Sequence, residues 1–428
     1  MKKLFISITF MGVMAVEGMA QSGTNSPYSQ YGLGVLSEQS QGFNRGMNGL
    51  ALGLRQSNQV NFLNPASYSS IDSLTMIIDA GLSGQVTNFK EGGTKVNASN
   101  ADFEYIAACF RALPRLGVSV GIVPFTNIGY NYSTQDLVGT SSTVSTENHS
   151  GSGGLHQAYI GAGWSVLPYL SVGANFSYVW GSYSKTVTVS NSDSYVNTIS
   201  RMYSSHFNSY KFDFGVQLYH EVAPGEQLAL GITYGLGHNL GNNADLIHSS
   251  SNSETNTTTL DTVSVADAHS IPSTLGAGIS WKHGKSLVLG FDYSLQKWGG
   301  EKMPELNPAD GTYARRSGLL TDRNKYTFGG EWVPNPISRR FYNRIHYRFG
   351  ASYATPYFKV NGLDGPKEYS VSAGFGIPIQ NARNNRSILN ISAQWQRTSA
   401  KELITENTFR INVGITFNER WFMKWKVQ

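Results

Sequence analysis

The chain has 428 residues, with 14% charged and 12% aromatic side chains and a formal net charge of +5 at pH 7. Its mean hydropathy is −0.26. After the N-terminal leader no apolar run reaches the length of about 20 residues that a membrane-spanning helix needs, which excludes a helical membrane protein. The lysines and arginines are scattered, so no nucleic-acid partner is predicted. The single cysteine, Cys109, excludes an internal disulfide and thiolate metal clusters, and we predict neither a metal nor a cofactor.

Residues 1–20 have the pattern of a cleaved signal peptide. Lys2 and Lys3 precede an apolar stretch, and Gly18 and Ala20 stand three positions and one position before a cut ahead of Gln21. The apolar stretch is too short to cross a bilayer as a helix, although a retained membrane anchor is the alternative. The leader predicts export.

From Leu74 onward, apolar residues recur at every second position, with polar or small residues between them. Side chains of a strand alternate between two faces, so this period predicts strands with one apolar face. We count about 14 such strands within residues 73–417, an even number as bacterial single-chain barrels require. Because lipid offers no partner to backbone amides, such a sheet must close on itself. The predicted fold is all-β, a 14-stranded antiparallel transmembrane β-barrel in the cell outer membrane.

The connections between these strands alternate in length. Tight turns rich in Pro, Gly or Asn, such as residues 112–115 and 223–226, alternate with polar segments at 134–154, 186–208, 238–270 and 299–324. Short connections of such barrels are periplasmic and long ones extracellular, so we predict four long outer loops. The Ser/Asn/Thr-rich residues 249–259 could instead link two domains, but strand periodicity resumes after them. Aromatic residues near predicted strand ends, among them Tyr130, Trp298, Trp332 and Tyr357, are expected at the membrane interfaces.

Residues 21–72 do not show strand periodicity. They are rich in glycine but also contain Leu50, Leu52, Val60 and Phe62, which disfavours the alternative of a disordered tail. We predict that this segment folds inside the barrel as a hatch or plug. At the other end, residues 418–428 are predicted to form a C-terminal periplasmic tail.

Three motifs in this order resemble the FadL family of outer-membrane proteins. They are Asn64-Pro65-Ala66 at the end of the glycine-rich segment, the stretch from Gly121 to Pro124 and Phe125, and a run from Ile271-Pro272 through Asp292-Tyr293 to Trp298. The resemblance covers nearly the whole mature chain. It implies a 14-stranded barrel plugged by an N-terminal hatch, with Asn64, Pro65 and Ala66 as the hatch motif. It also implies passage of hydrophobic molecules that leave sideways through the wall.

Pro124 independently suggests a break in the wall. Proline cannot donate to a strand ladder and is confined to edges and bulges. We therefore predict a kink or lateral opening at Gly121, Pro124 and Phe125, reaching to Asn127; the alternative is a proline just beyond a strand end.

The sequence leaves two classes of function open. The first is passive outer-membrane transport of small hydrophobic compounds such as long-chain fatty acids. The second is a non-transport barrel subunit of an outer-membrane machine for secretion or barrel assembly, which the polar inner face of the late strands favours, since a fatty-acid pocket needs an apolar lining. The predicted partners are outer-membrane lipid, a hydrophobic small-molecule ligand and an envelope protein complex. Residues 117–121 spell GxSxG, but Ser119 lies in mid-strand rather than at a strand-to-helix turn, so no enzyme and no catalytic residue is predicted.

Overall fold

A computed structural model describes residues 23–138, 143–307, 309–379 and 387–420. Fourteen antiparallel strands form a closed barrel, and the predicted fold class is confirmed. Closure occurs where the first strand, β1, pairs with both β2 and the last strand, β14. The strands are β1 Thr75–Glu91, β2 Thr94–Leu113, β3 Leu116–Leu137, β4 Val144–Leu167, β5 Leu170–Asn191, β6 Thr198–Ala223, β7 Glu226–Gly235, β8 Thr274–His283, β9 Leu287–Gln296, β10 Arg323–Trp332, β11 His346–Ala354, β12 Lys367–Ile379, β13 Ser387–Ser399 and β14 Thr405–Arg420.

The two faces of the barrel wall differ in chemistry. Outward side chains such as Leu82, Ile232 and Ile411 are apolar and exposed, whereas inward ones such as Asn175 and Asn412 are polar and buried. The exposed apolar band matches the lipid-facing surface of an outer-membrane barrel. The predicted signal peptide, residues 1–20, and residues 421–428 of the predicted tail lie outside the described residues, whereas residues 418–420 of that tail belong to β14.

One side of the barrel is much taller than the other. β1 to β6 contain between 17 and 26 residues each, whereas β7 to β10 contain 10. A tilted strand of about 10 residues already crosses the hydrocarbon layer, so β1 to β6 continue above the membrane. The prediction of loops at 134–154 and 186–208 is therefore wrong in large part, because β3 to β6 occupy most of both segments. Above the membrane neither face of a strand is buried in lipid, so the alternation that reveals strands disappears.

The remaining extracellular segments add short elements around the rim. The hairpin Ala244–Asn252 with Thr257–Val265 pairs with the start of β6 and extends the tall side. Residues 249–259 thus belong to a hairpin and not to a linker. The other strand pairs are His238–Asn239 with Ser270–Ile271, Met303–Leu306 with Tyr313–Arg316, and Lys359–Val360 with Leu363–Asp364, and a 3-10 helix spans Trp298–Gly300.

Residues 23–72, the N-terminal segment, contain the short helix α1, Gly42–Arg45, the 3-10 helices Pro27–Gln30 and Pro65–Ser70, and the strand Val35–Leu36. Their hydrogen bonds reach inward side chains of strands as far apart around the ring as β5, β9, β11 and β14. The segment therefore lies inside the ring of strands. No helix in the described ranges is long and apolar enough to cross a membrane.

Candidate functional site: the N-terminal segment and the break in the wall

The predicted hatch motif lies against a row of glycines on the inner wall. Asn64 caps the 3-10 helix Pro65–Ser70, where its Oδ1 accepts from the Ala66 amide at 3.2 Å. Its Nδ2 donates to the Leu52 carbonyl at 2.8 Å. The motif residues are all buried. One polar side chain thus fixes both the start of the turn and the loop that precedes it.

The glycine row crosses four neighbouring strands at one height. Gly117 of β3 pairs with Gly163 of β4, which pairs with Gly173 of β5, which pairs with Gly215 of β6. A Cβ atom added to any of them would lie under 3.0 Å from atoms of Asn64, Pro65 or Tyr68. The wall has no side chains here, which lets the 3-10 helix approach the sheet backbone.

Arg45 holds α1 to another part of the wall, formed by β2 and β14. Its guanidinium donates to Glu104 Oε2 at 2.7 Å, to Asn412 Oδ1 at 3.1 Å and to the Ser40 carbonyl at 3.0 Å. The side chains of Arg45 and Glu104 are only 2% and 8% exposed. Because an unpaired charge is costly in such an environment, this pair ties the N-terminal segment to β2 and β14.

Asp292 of β9 holds the next stretch of the segment. Its Oδ2 accepts from the amides of Ala51 at 2.7 Å and Leu52 at 2.8 Å. Asn48 contacts three further wall residues: its Nδ2 donates to Ser352 Oγ at 2.7 Å, and its Oδ1 accepts from Ser370 Oγ at 2.8 Å and from Gln394 Nε2 at 2.9 Å. The polar inner face of the late strands thus binds the N-terminal segment.

The wall is broken between β2 and β3. Their ladder ends at Ile106 and Ile122, and above it β2 pairs only with β1. β3 continues along β4, but its register shifts between Pro124 and Thr126, leaving Phe125 as a bulge. Gly121 lies just below this point and Pro124 within it. The three residues predicted for the kink therefore lie where the β2–β3 pairing ends, and their role in lateral opening remains a prediction.

The N-terminal segment covers the free edge of β3 from inside. Val35 and Leu36 pair with Asn127 and Thr126, and the Ser37 amide donates to the Phe125 carbonyl at 3.0 Å. On the β2 side, Asn25 Nδ2 donates to Asn100 Oδ1. Residues 23–37 thus fill the space between the two separated edges.

Two cavities adjoin this covering stretch. The first, which is partly open to solvent, has mainly polar and charged walls, including Gln85, Asp102, Glu406 and Arg410. The second, also partly open to solvent, has a mixed lining, with the charged residues Lys211, Asp213 and Lys325 and an apolar part. That apolar part contains Leu36, Leu52, Phe62, Leu63, Phe125, Ile271 and Trp298.

Glu38 lies at the boundary of both cavities. Burial alone would raise its pKa, but Lys325, Arg45 and Arg410 outweigh that effect and hold the pKa below its usual value. Glu38 is therefore an anion at neutral pH, and it also accepts from Gln394 Nε2 at 3.1 Å. Any molecule that passes this point meets fixed charges of both signs.

Apolar side chains fill the extracellular half of the lumen. This upper cluster joins Tyr28 and Leu33 of the N-terminal segment to Phe125 of β3, Phe207 of β6 and residues of the outer loops. Trp298, Tyr130 and Tyr357 are buried in it. Their predicted place in an interfacial girdle is therefore wrong. The outer loops that carry Trp298 and Tyr357 fold inward over the barrel mouth, and Tyr130 of β3 is buried in the same cluster, whereas Trp332 does lie on the outer surface. The remaining buried members are Ile128, Leu155, Val179, Tyr183, Leu240, Ile271, Met303, Leu320, Phe358 and Val360.

Sequence reasoning did not identify the glycine row or the Arg45–Glu104 pair. A signal for the glycine row was available in the sequence, because glycines occupy lumen-facing positions of consecutive strands. Ser119 is a buried residue of β3 whose hydroxyl donates to the Ala108 carbonyl at 3.0 Å. Among the described residues no group of three or more His, Cys, Asp or Glu side chains could hold a metal ion.

Several solved structures are similar to this chain over most of its length. The Ralstonia pickettii toluene transporter TbuX is 14% identical, covers 89% of this chain and 98% of its own, and superposes with a TM-score of 0.58. The P. putida toluene transporter TodX is 13% identical, covers 89% of this chain and 98% of its own, and has a TM-score of 0.60. A Pseudomonas aeruginosa FadL homologue is 11% identical, covers 88% of this chain and 98% of its own, and has a TM-score of 0.61. At such identities the likeness shows the fold.

Comparison with curated protein sequences finds no match. The profile of the BamG family matches residues 1–428. The closed 14-stranded barrel has the fold of the FadL-type structures, and the match over residues 1–428 shows that the chain belongs to the BamG family.

Proposed function

We propose that this barrel passively transports small hydrophobic compounds, such as long-chain fatty acids, and releases them sideways into the outer membrane. The observation that carries the proposal is the break between β2 and β3 at the Phe125 bulge, beside a cavity with an apolar wall. A compound held against Leu36 and Phe125 is separated from the break mainly by the strand Val35–Leu36. The similar structures TbuX and TodX are described as toluene transporters.

In this mechanism only the first part of the N-terminal segment moves. Residues 40–72 are fixed to the wall by the buried Arg45–Glu104 ion pair and by hydrogen bonds, so they close the direct route to the periplasm. Residues 23–37 are joined to the β3 edge by a strand of 2 residues and by Ser29, whose hydroxyl bonds to the backbone of Gly129. Elsewhere Ser26 donates to Glu406, and Lys185 donates to the carbonyls of Gln30 and Gly32, so these bonds must break when the stretch moves. Their displacement would uncover the break while leaving the rest of the segment in place. The compound then moves from the upper lumen into the lipid beside β2 and β3.

The test is to fasten the movable strand. Leu36→Cys with Thr126→Cys places two thiols on paired residues, and an oxidised bridge between them holds the break closed. Proteoliposomes that contain the oxidised protein should take up oleate or toluene at least about tenfold more slowly than those that contain the reduced protein. The control is Tyr178→Cys with Tyr210→Cys, a paired position of β5 and β6 on the outer face. Equal uptake by the oxidised and reduced forms of the Leu36/Thr126 variant would contradict transport by this route.

A second candidate is a non-transport subunit of an outer-membrane machine. It is favoured by the charged walls of the first cavity and by the buried charges that hold the N-terminal segment, both of which suit a sealed barrel. Mild-detergent purification from cells separates the two functions. A stoichiometric complex with envelope proteins, together with no uptake by the reduced double-cysteine variant, would favour the subunit. Uptake that responds to the bridge in an isolated barrel would favour transport.

A further inference from the structure

We propose that residues 333–345, the basic turn, bind the anionic headgroups of phospholipids in the periplasmic leaflet of the outer membrane. This turn joins β10 to β11 at the end of the barrel where the other described connections are short. Leu113 and Leu116, for example, are separated by only Pro114 and Arg115. The long connection is therefore a local exception on this side of the barrel.

The composition of the basic turn is one-sided. It contains Arg339, Arg340 and Arg344 and no Asp or Glu. Arg339 and Arg340 are exposed and adjacent at the tip. A guanidinium binds phosphate oxygens in a bidentate manner and is less strongly hydrated than an ammonium, which makes arginine the preferred residue for headgroup phosphates.

Hydrogen bonds within the basic turn give it a defined shape. The Asn335 amide donates to the Asn343 carbonyl at 2.8 Å, and the Arg340 amide donates to Ser338 Oγ at 3.1 Å. Arg340 Nη1 donates to Tyr342 Oη at 3.1 Å. The guanidinium and the aromatic ring are thus held side by side before any ligand arrives, which reduces the entropy lost on binding.

The apolar surface of the turn continues that of the barrel. Trp332 and Tyr347 lie on the outer wall with ring centroids 5.6 Å apart, and Tyr347 Oη donates to the Tyr342 carbonyl at 3.0 Å. Ile337 is 83% exposed, Phe341 50% and Tyr342 53%. Aromatic rings beside arginines, next to the lipid-facing wall, match the environment of the headgroup layer. This continuity favours lipid over a protein in the periplasm.

The first test compares lipids bound to purified barrels. Native mass spectrometry in neutral detergent would measure retention of phosphatidylglycerol against phosphatidylcholine for the full chain and for Arg339→Gln/Arg340→Gln. Because one arginine near an anionic surface gives roughly a fivefold preference, the double variant should lose about 25-fold in selectivity. The control is Lys297→Gln/Lys302→Gln, two exposed lysines after β9 at the opposite end, which should leave selectivity unchanged. Equal selectivity in the arginine variant and the wild type would overturn the proposal.

The second test asks what touches the turn in cells. A benzophenone amino acid at Ile337, the most exposed apolar residue of the turn, should form adducts with phospholipid under illumination. The same substitution at Leu260, which is 71% exposed in the extracellular hairpin, is the control and should not label phospholipid of the periplasmic leaflet. A discrete protein adduct at Ile337 without a lipid adduct would assign the turn to a protein partner and contradict the proposal.

Discussion

Two parts of the lumen are filled in different ways. Residues 40–72 are held by directional polar contacts: Arg45 pairs with Glu104, Asp292 accepts from two amides, and the 3-10 helix lies on bare sheet backbone. The upper cluster is held mainly by apolar side chains, which come from the outer loops, from β3 to β6 and from residues 23–37. Hydrogen bonds and ion pairs require one geometry, whereas apolar contacts tolerate rearrangement. The comparison indicates that the lower part is fixed and that movement, where it occurs, takes place in the upper part.

The largest effect is expected from breaking the lower fastening. Arg45→Met leaves Glu104 buried without its cation, and loss of one partner of a buried pair typically costs about 3–5 kcal/mol. Residues 40–72 should become sensitive to protease, while the barrel itself stays folded and keeps its heat-modifiable mobility on gels. Arg45→Met combined with Glu104→Gln removes the unpaired buried charge and should restore part of the lost stability. A protected segment in the single variant would show that the fastening does not depend on this pair.

The matching change in the upper part is Trp298→Ala. Trp298 is 1% exposed and its ring centroid lies 4.9 Å from that of Tyr357, so removing it should destabilise the loops by about 3 kcal/mol. Hydrogen exchange should increase at residues 23–37 and in the outer loops, with residues 40–72 unchanged. Equal increases in hydrogen exchange in both parts would mean that they open together, which contradicts a fixed lower part.

A smaller effect is expected where the wall has no side chain. A Cβ on Gly231 would lie under 3.0 Å from the Leu52 carbonyl, so Gly231→Ala should destabilise docking of the segment by about 1–3 kcal/mol through overpacking. Gly84→Ala is the control, since nothing lies within 4 Å of its added Cβ. Denaturant midpoints for release of the segment, followed by a fluorophore at Ser57→Cys, would measure both. The same shift of the denaturant midpoint in both variants would indicate that alanine changes the strand itself and that contact with the segment is not the cause.

The smallest effect is a pH dependence of the upper part. Burial, assisted by Lys185 and Arg315, lowers the pKa of His269 from 6.5 to about 3. As the pH falls below 6.5, the unfolded loops take up a proton that the folded histidine does not, so stability decreases down to about pH 3. Between pH 7.5 and pH 5 the loss should be about 2 kcal/mol, and His269→Gln should lack this slope. Hydrogen exchange of residues 266–273 at several pH values would measure it, and parallel slopes in both proteins would contradict the assignment.

The sequence predicts those parts of the structure in which a physical constraint repeats along the chain. Lipid on one side forces alternation, so strands such as Leu287–Gln296 could be predicted, and the missing N–H of Pro124 marked the end of regular pairing. Above the membrane no lipid covers one face of the strands, so the sequence pattern predicts loops where the upper parts of β3 to β6 lie. The glycine row has no side-chain signal of its own, because its meaning depends on the 3-10 helix that lies against it. The pairing of Val35 with Asn127 rests on 2 residues, too few to show a period.

The contact between Arg45 and Asn412 also sets the order in which this molecule can be assembled. The two residues are 367 positions apart, and Asn412 belongs to the strand that completes the ring. The N-terminal segment is made first, yet its final partner arrives last, together with the β1–β14 seam. A ring that closed without the segment would enclose bare glycine backbone and unpaired acids. Closure around an already folded insert is therefore the assembly route that leaves none of these groups exposed.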